Sequence, residues 1–166
     1  FGRHADLVEF ASGASVPVFN ALDERYHPIE ALSDLHVLNE RFGGLAGLKL
    51  AYLGDGNNVC HSLMLAAAGA GLRVAVATPP EHQPAPDIVE ATEARATASG
   101  GSLLLTADPV EAVAGADAVY TDVHESMGEP DGLPKKAALA PFKVTQALMD
   151  RTAQHGVFMH CLPMRR

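Results

Sequence analysis

The chain has 166 residues, 48% of them apolar and none a Trp, and its 12 basic and 20 acidic side chains leave a formal net charge of −8. A surface of that sign repels phosphate backbones and anionic headgroups, which argues against nucleic acid or a membrane surface as the main partner and favours small polar ligands. No apolar run approaches the roughly 18 residues of a spanning helix and no secretory leader opens the chain, so a soluble, cytoplasmic domain is expected. Cys60 and Cys161 are the only cysteines. They are too few for a disulfide framework and lack metal-site spacing, so free thiols in a reducing compartment are expected, with no metal and no cofactor. Phe1 in place of Met reads as a piece of something longer.

In chain order, residues 3–10 read as a helix fragment that ends around Gly13. Val16-Pro17-Val18-Phe19 reads as a short strand whose proline suits an edge or a strand start. Residues 20–26 are polar and loop-like. His27-Pro28 then opens a helix with Pro at its first turn, carried to about Arg41 by the apolar stripe Ile29, Leu32, Leu35 and Leu38 and stopped by Gly43-Gly44. Some forty residues with so little apolar surface cannot bury a core. Residues 1–42 are therefore expected to be the tail of an upstream domain plus a bridging helix, and residues 43–166 a second domain.

From Leu48 the pattern alternates strand and helix with short connections. Strands are expected near 48–53, 72–77, 102–106, 117–121 and 156–160, and helices near 59–70, 86–99, 108–115 and 143–153, with Gly71, Gly100, Gly115 and Gly156 as stops. This spacing predicts an α/β domain, a doubly wound, five-stranded parallel Rossmann-like sheet with helices on both faces. If the strand order is 3-2-1-4-5, the ligand crevice opens where strands 1 and 4 diverge. Residues 123–141 read as one long irregular loop, of the kind that is usually functional.

Three polar clusters then fall at the carboxyl ends of strands 1, 4 and 5. They are Asp55-Gly56-Asn57-Asn58, Asp122 with His124-Glu125-Ser126-Met127-Gly128, and His160-Cys161-Leu162-Pro163. In the first, Asn57 or Asn58 can cap the helix that follows, and the helix N-terminus offers unpaired N–H groups to a polar ligand. Each cluster also has a bland reading: an ordinary turn of small polar residues, a capping Asp122, a loop Ser126, a buried apolar Cys161. Their coincidence at one crevice favours a binding site.

These clusters, together with His61-Ser62 and the upstream Val16-Pro17-Val18-Phe19-Asn20 and Tyr26-His27-Pro28-Ile29, resemble the motifs of the ornithine carbamoyltransferases, within the aspartate/ornithine carbamoyltransferase family. The resemblance runs in order over nearly the whole chain. Its most specific parts are the Asp122 to Gly128 run and the His-Cys-Leu-Pro tetrapeptide at residues 160–163. It implies transfer of a carbamoyl group from carbamoyl phosphate to the side-chain amine of L-ornithine, giving citrulline and phosphate in arginine biosynthesis or breakdown. It further implies ornithine contacts at Asn58, Asp122, Ser126 and Met127, and carbamoyl phosphate contacts at His27, Glu30, Cys161 and Leu162. Cys161, Asp122 and His27 become the catalytic candidates, and the full-length protein is expected to be a homotrimer or a multiple of one. A neutral amine attacking a planar carbamoyl carbon needs positioning and stabilisation of the growing oxyanion more than a covalent nucleophile, so Cys161 is expected to assist the amine without forming a bond to carbon.

Two residues depart from the resemblance. Glu30 stands where the family usually has Gln, and His124 where an aromatic residue is common. The phosphate-binding segment of the family's upstream domain is not in this sequence, nor is the C-terminal helix that in the family returns to that domain, so residues 43–166 are expected to be an ornithine-binding domain incomplete at its C-terminus and the chain alone is expected to be inactive. Rival readings are a carbamoyltransferase for putrescine, lysine or an N-acylated ornithine, a binding domain that has lost the chemistry, and a nicotinamide-dependent dehydrogenase. Against the last, Val59 stands at the third glycine position of the dinucleotide fingerprint and no acidic residue follows strand 2 near Thr78.

Overall fold

The computed structural model describes residues 2–122, 133–162 and 164. Two helices come first, α1 (His4–Gly13) and α2 (Pro28–Phe42). An alternating run follows: β1 (Lys49–Leu53), α3 (Asn58–Gly69), β2 (Arg73–Ala77), α4 (Pro86–Ser99), β3 (Ser102–Thr106), α5 (Pro109–Val113), β4 (Ala118–Thr121), α6 (Leu133–Leu139), α7 (Gln146–Met149) and β5 (Val157–His160). The strands form one all-parallel sheet in the order β3-β2-β1-β4-β5. The expected fold class and strand order both hold.

The central strands are apolar on consecutive residues because both faces of the sheet are covered. Leu50, Tyr52, Val74, Val76, Ala118 and Tyr120 pack with Leu35 and Leu38 of α2, Leu63 and Met64 of α3 and Ile88 of α4. The alternate residues Ala51, Leu53, Ala75, Ala77 and Val119 pack with Ala112 and Val113 of α5, Phe142 and Leu148.

Strand register sets the position of the site. Leu53 pairs with Thr121, and Thr121 with His160. The next residues, Gly54, Asp122 and Cys161, therefore leave the sheet side by side. Gly56 is required between β1 and α3, because a Cβ there would lie 2.3 Å from the Pro84 nitrogen and 2.4 Å from the Gln83 carbonyl carbon. Gly71, Gly100 and Gly115 take positive φ after α3, α4 and α5, as expected of helix stops.

Four expectations change. Residues 16–19 are irregular and not a strand: Val16 and Phe19 are 68% and 80% exposed, and no strand among the described residues pairs with them. The helix expected over 143–153 shrinks to α7, which Thr145 caps by accepting the Leu148 N–H. Gly156 accordingly stops no helix; it permits close approach to Thr152 and the Ala116 carbonyl. Finally, 123–141 is not one irregular loop, since α6 and a 3-10 turn at Ala140–Phe142 occupy its second half; residues 123–132 lie outside the described residues.

Candidate functional site

Asn57 joins the first two clusters. Its Oδ1 caps α3 by accepting the N–H groups of Val59 and Cys60, both at 3.1 Å, and receives the Tyr52 hydroxyl at 3.3 Å. Its Nδ2 donates to Asp122 Oδ2 at 2.8 Å. One amide thus ties the end of β1, the start of α3 and the end of β4. Tyr52 also donates to the Asp55 carbonyl at 2.9 Å and stacks on Tyr120, with ring centroids 6.1 Å apart. Asp55 in turn pairs with Lys135 of α6 at 2.7 Å and lies 3.5 Å from His82 Nδ1.

The other wall is the start of α2. Helical spacing puts His27, Glu30 and Asp34 on one side of that helix, turned toward Cys161 at the end of β5. Ligand atoms of His27, Glu30 and Cys161 all lie within 4.8 Å of one another. The Cys161 thiol points to the Leu162 carbonyl at 3.8 Å. Burial, then the charges of Asp122 and Glu30, push that thiol up to about 12. At neutral pH it is a protonated hydrogen-bond donor, which suits the non-covalent role expected of it. Behind this group, burial raises the Asp34 carboxyl to about 6, with the Tyr120 hydroxyl easing the shift and the Glu30 charge adding to it. Asp34 Oδ2, the Tyr120 hydroxyl and His27 Nδ1 are all buried without a hydrogen-bond partner among the described residues.

One face of α3 holds this wall in place. Asn58 Nδ2 donates to the Asp23 carbonyl at 2.8 Å, and Ser62 Oγ accepts the His27 N–H at 2.8 Å. His61 Nδ1 meets the Arg25 carbonyl at 3.1 Å, while its Nε2 accepts the Ala85 N–H at 3.1 Å. Residues 58, 61 and 62, one helical turn, thereby grip the backbone at 23, 25 and 27. These bonds assign His61 the neutral Nδ1–H tautomer. Burial lowers its proton affinity further, with the Arg25 carbonyl bond opposing. A depressed histidine means that the unfolded chain takes up the proton first as pH falls. Stability is therefore expected to be level above the ordinary histidine value of about 6.5 and to decline as pH drops below it. Urea unfolding at pH 7.5 and pH 5.5 checks this; His61→Gln, whose amide can both donate and accept, should flatten the decline.

Of the residues expected from the sequence, His27, Glu30, Cys161 and the Leu162 carbonyl converge. Asp122 acts on Cys161 by its charge and is held by Asn57. The Asn58 amide is engaged by the Asp23 carbonyl and by the Val59 N–H instead. Ser126 and Met127 lie outside the described residues. Sequence reasoning missed Asp34 and Tyr120. The i, i+4 spacing of Glu30 and Asp34 on an otherwise apolar helix side was the available signal. It also missed Asp23, which no spacing marks.

An open parallel sheet with polar clusters aligned at its carboxyl edge, faced by a histidine-bearing helix, has the form of a small-molecule-binding α/β domain. A family model described as "Aspartate/ornithine carbamoyltransferase, Asp/Orn binding domain" matches residues 46–166, and the chain belongs to that family. It is 49% identical over 162 residues to an ornithine carbamoyltransferase of Rhodococcus opacus (strain B4), covering 96% of this chain and 51% of that protein. It is 44% identical over 164 residues to one of Thermococcus kodakarensis, covering 98% and 52%. Among solved structures, ornithine carbamoyltransferase from Pyrococcus furiosus superposes with a TM-score of 0.94 at 42% identity, over 99% of this chain and 53% of that one. The chain spans about half the length of the curated relatives it matches. Among the described residues, no helix is long and apolar enough to cross a membrane.

Proposed function

We propose that the full-length protein transfers the carbamoyl group of carbamoyl phosphate to the side-chain amine of L-ornithine, releasing citrulline and phosphate, and that this chain supplies the amino-acid half of the site. The observation that carries the reading is the convergence of His27, Glu30 and Cys161 within 4.8 Å at the carboxyl edge of the sheet. The amine nitrogen forms the new bond to the carbamoyl carbon while the carbon–oxygen bond to phosphate breaks, and the proton that the amine loses leaves on the departing phosphate. His27 donates to the carbamoyl oxygen as charge grows there, and Glu30 accepts from the carbamoyl NH₂. The Cys161 thiol and Leu162 carbonyl hold the attacking amine, and the thiol, being protonated, does not compete as a nucleophile. Asp122, with Ser126, Met127 and Asn58, serves the amino-acid end, Asp122 offsetting an ammonium charge. Residues 1–42 belong to the upstream carbamoyl phosphate domain and its bridging helix, and residues 43–166 to the ornithine domain; the family match over 46–166 supports that division. The complete protein is a cytoplasmic homotrimer, or a multiple of one, acting in arginine metabolism without a cofactor.

Citrulline formation by the full-length protein, run against putrescine, lysine and N-acetylornithine as competing amines, tests the reading. L-Ornithine should be preferred by at least tenfold in kcat/KM. Faster carbamoylation of another amine, or none of ornithine, would refute it.

A further inference from the structure

We propose that Asp34 is a positioning residue for the reaction: lying behind Glu30 on α2 and facing the Tyr120 hydroxyl of β4, its carboxylate pushes Glu30 forward onto the carbamoyl group, and uptake of a proton releases that push. The surroundings of Asp34 are apolar. Leu35 and Leu38 of the same helix pack with Leu50, Tyr52 and Ala118 of the sheet. Asp34 Oδ2 and the Tyr120 hydroxyl are both buried there, and neither has a hydrogen-bond partner among the described residues. Burial apart, Tyr120 is the strongest influence on the Asp34 carboxyl, and Asp34 the strongest on the Tyr120 hydroxyl. A buried carboxyl with so little to satisfy its charge gives that charge up readily.

Glu30 and Asp34 stand one turn apart, at i and i+4, where like charges repel. Glu30 relieves the repulsion by leaning toward the start of α2, and there its carboxylate already lies within 4.8 Å of the ligand atoms of His27 and Cys161. The titratable groups that face Asp34 are Glu30 on its own helix, Tyr120 on β4 and Cys161 at the end of β5. The α3 helix also packs on α2, but its titratable side chains turn elsewhere, His61 to the Arg25 and Ala85 backbone and Cys60 to Met64. Among the described residues no cation offsets Asp34. Burial accordingly raises its carboxyl to about 6, so the push on Glu30 is present at pH 7.5 and mostly gone at pH 5. A Gln at position 30 carries no charge for Asp34 to act on, so the device belongs to a chain with Glu there.

The positioning role rests on the carbamoyltransferase reading; the buried, titrating carboxyl does not. Citrulline formation by the full-length protein is measured at saturating ornithine in wild type and Asp34→Asn. The ratio of their Michaelis constants for carbamoyl phosphate, wild type over variant, should rise from near 1 at pH 5 to about threefold at pH 7.5, with the change in KM and not in kcat. The substrate's own titration is common to both proteins and cancels in the ratio. In a Glu30→Gln background the same substitution should have less than half its effect. Tyr120→Phe removes the hydroxyl that eases ionisation of Asp34, so the rise in KM should move to higher pH. A ratio that is constant with pH, an equal effect in the Glu30→Gln background, or an unmoved rise in Tyr120→Phe would overturn the role.

Melting temperatures test the carboxyl without substrate. A raised carboxyl contributes stability that is fully present below its unfolded value of about 3.9 and is lost as pH rises through the folded one. The wild type, relative to Asp34→Asn, should therefore melt higher at pH 5 than at pH 7.5, and a difference that does not change with pH would overturn the proposal. A pH-dependent difference in a wild type that carbamoylates no ornithine would keep the titrating carboxyl and refute the reaction instead.

Discussion

Replacing Glu30 by Gln in the full-length protein is expected to lower the Michaelis constant for carbamoyl phosphate by roughly tenfold or more. The carboxylate reaches His27 and Cys161, where the carbamoyl group of the proposed substrate sits, and an ionised carboxylate can only accept hydrogen bonds while an amide can also donate. It also brings negative charge toward an anionic substrate. Two unit charges about 6 Å apart at an effective dielectric of about 20 repel by roughly 3 kcal/mol, and solvent and salt screening bring that toward the 1.4 kcal/mol of a tenfold change. A Glu30 turned away to pair with Arg25 would be neutralised and would not have this effect. Arg25 pairs instead with Asp87 and lies on the Tyr26 ring, so no such neutralisation occurs. Asp34, one turn further along α2, adds to the negative field. The measurement is the Michaelis constant at saturating amine. An unchanged or higher value in the Gln variant would sink the argument.

The sheet was legible because each central strand is a short apolar run closed by glycine or a polar cluster, and a strand covered on both faces has to look that way. Connection rules give the doubly wound sheet but leave the strand order open; with the order β3-β2-β1-β4-β5 that the structure has, the three clusters fall together at one edge. The short helices were less legible. Lys143 and Val144 continue an acceptable helical pattern, yet the chain turns at Ala140–Phe142 and restarts only where Thr145 caps α7. The apolar Val16 and Phe19 imitate a strand, but Pro17 removes a donor and no partner strand lies alongside among the described residues. Within the site, the residues carrying chemistry were legible and those holding them were not. Asn57 and Asn58 are adjacent and of the same type, and only coordinates separate the one that bonds Asp122 from the one that bonds the Asp23 carbonyl. Tyr120 read as strand core, which it is, and its buried hydroxyl near Asp34 carries no mark in the pattern.

Asp23 exemplifies this, and Asp23→Ala is expected to cost about 3–5 kcal/mol, a large share of a typical domain's stability. The residue is 2% exposed, in a stretch that reads as a polar loop. Its Oδ1 accepts the backbone N–H groups of Arg25 and Tyr26 at 2.8 and 2.7 Å, and its Oδ2 accepts the Asn20 amide at 2.8 Å and meets His4 Nδ1 at 2.7 Å. Alanine would leave four donors without an acceptor, and a buried donor left unpaired costs about 1–3 kcal/mol. Burial acts to raise the Asp23 carboxyl, but the His4 and backbone hydrogen bonds outweigh it and the net shift is downward. A depressed carboxyl contributes stability that is fully present above its unfolded value of about 3.9 and is lost as pH falls through the lower folded one. The wild type should therefore lose an increment on acidification that the Ala variant has already lost. Asp23→Asn keeps an acceptor oxygen and should fall between the two. The consequence reaches the site, because the same turn presents the Asp23 carbonyl to Asn58 and delivers His27 to Ser62. Urea unfolding at pH 7 measures the loss; a difference below about 1 kcal/mol between wild type and Asp23→Ala would show that the turn holds without its carboxylate.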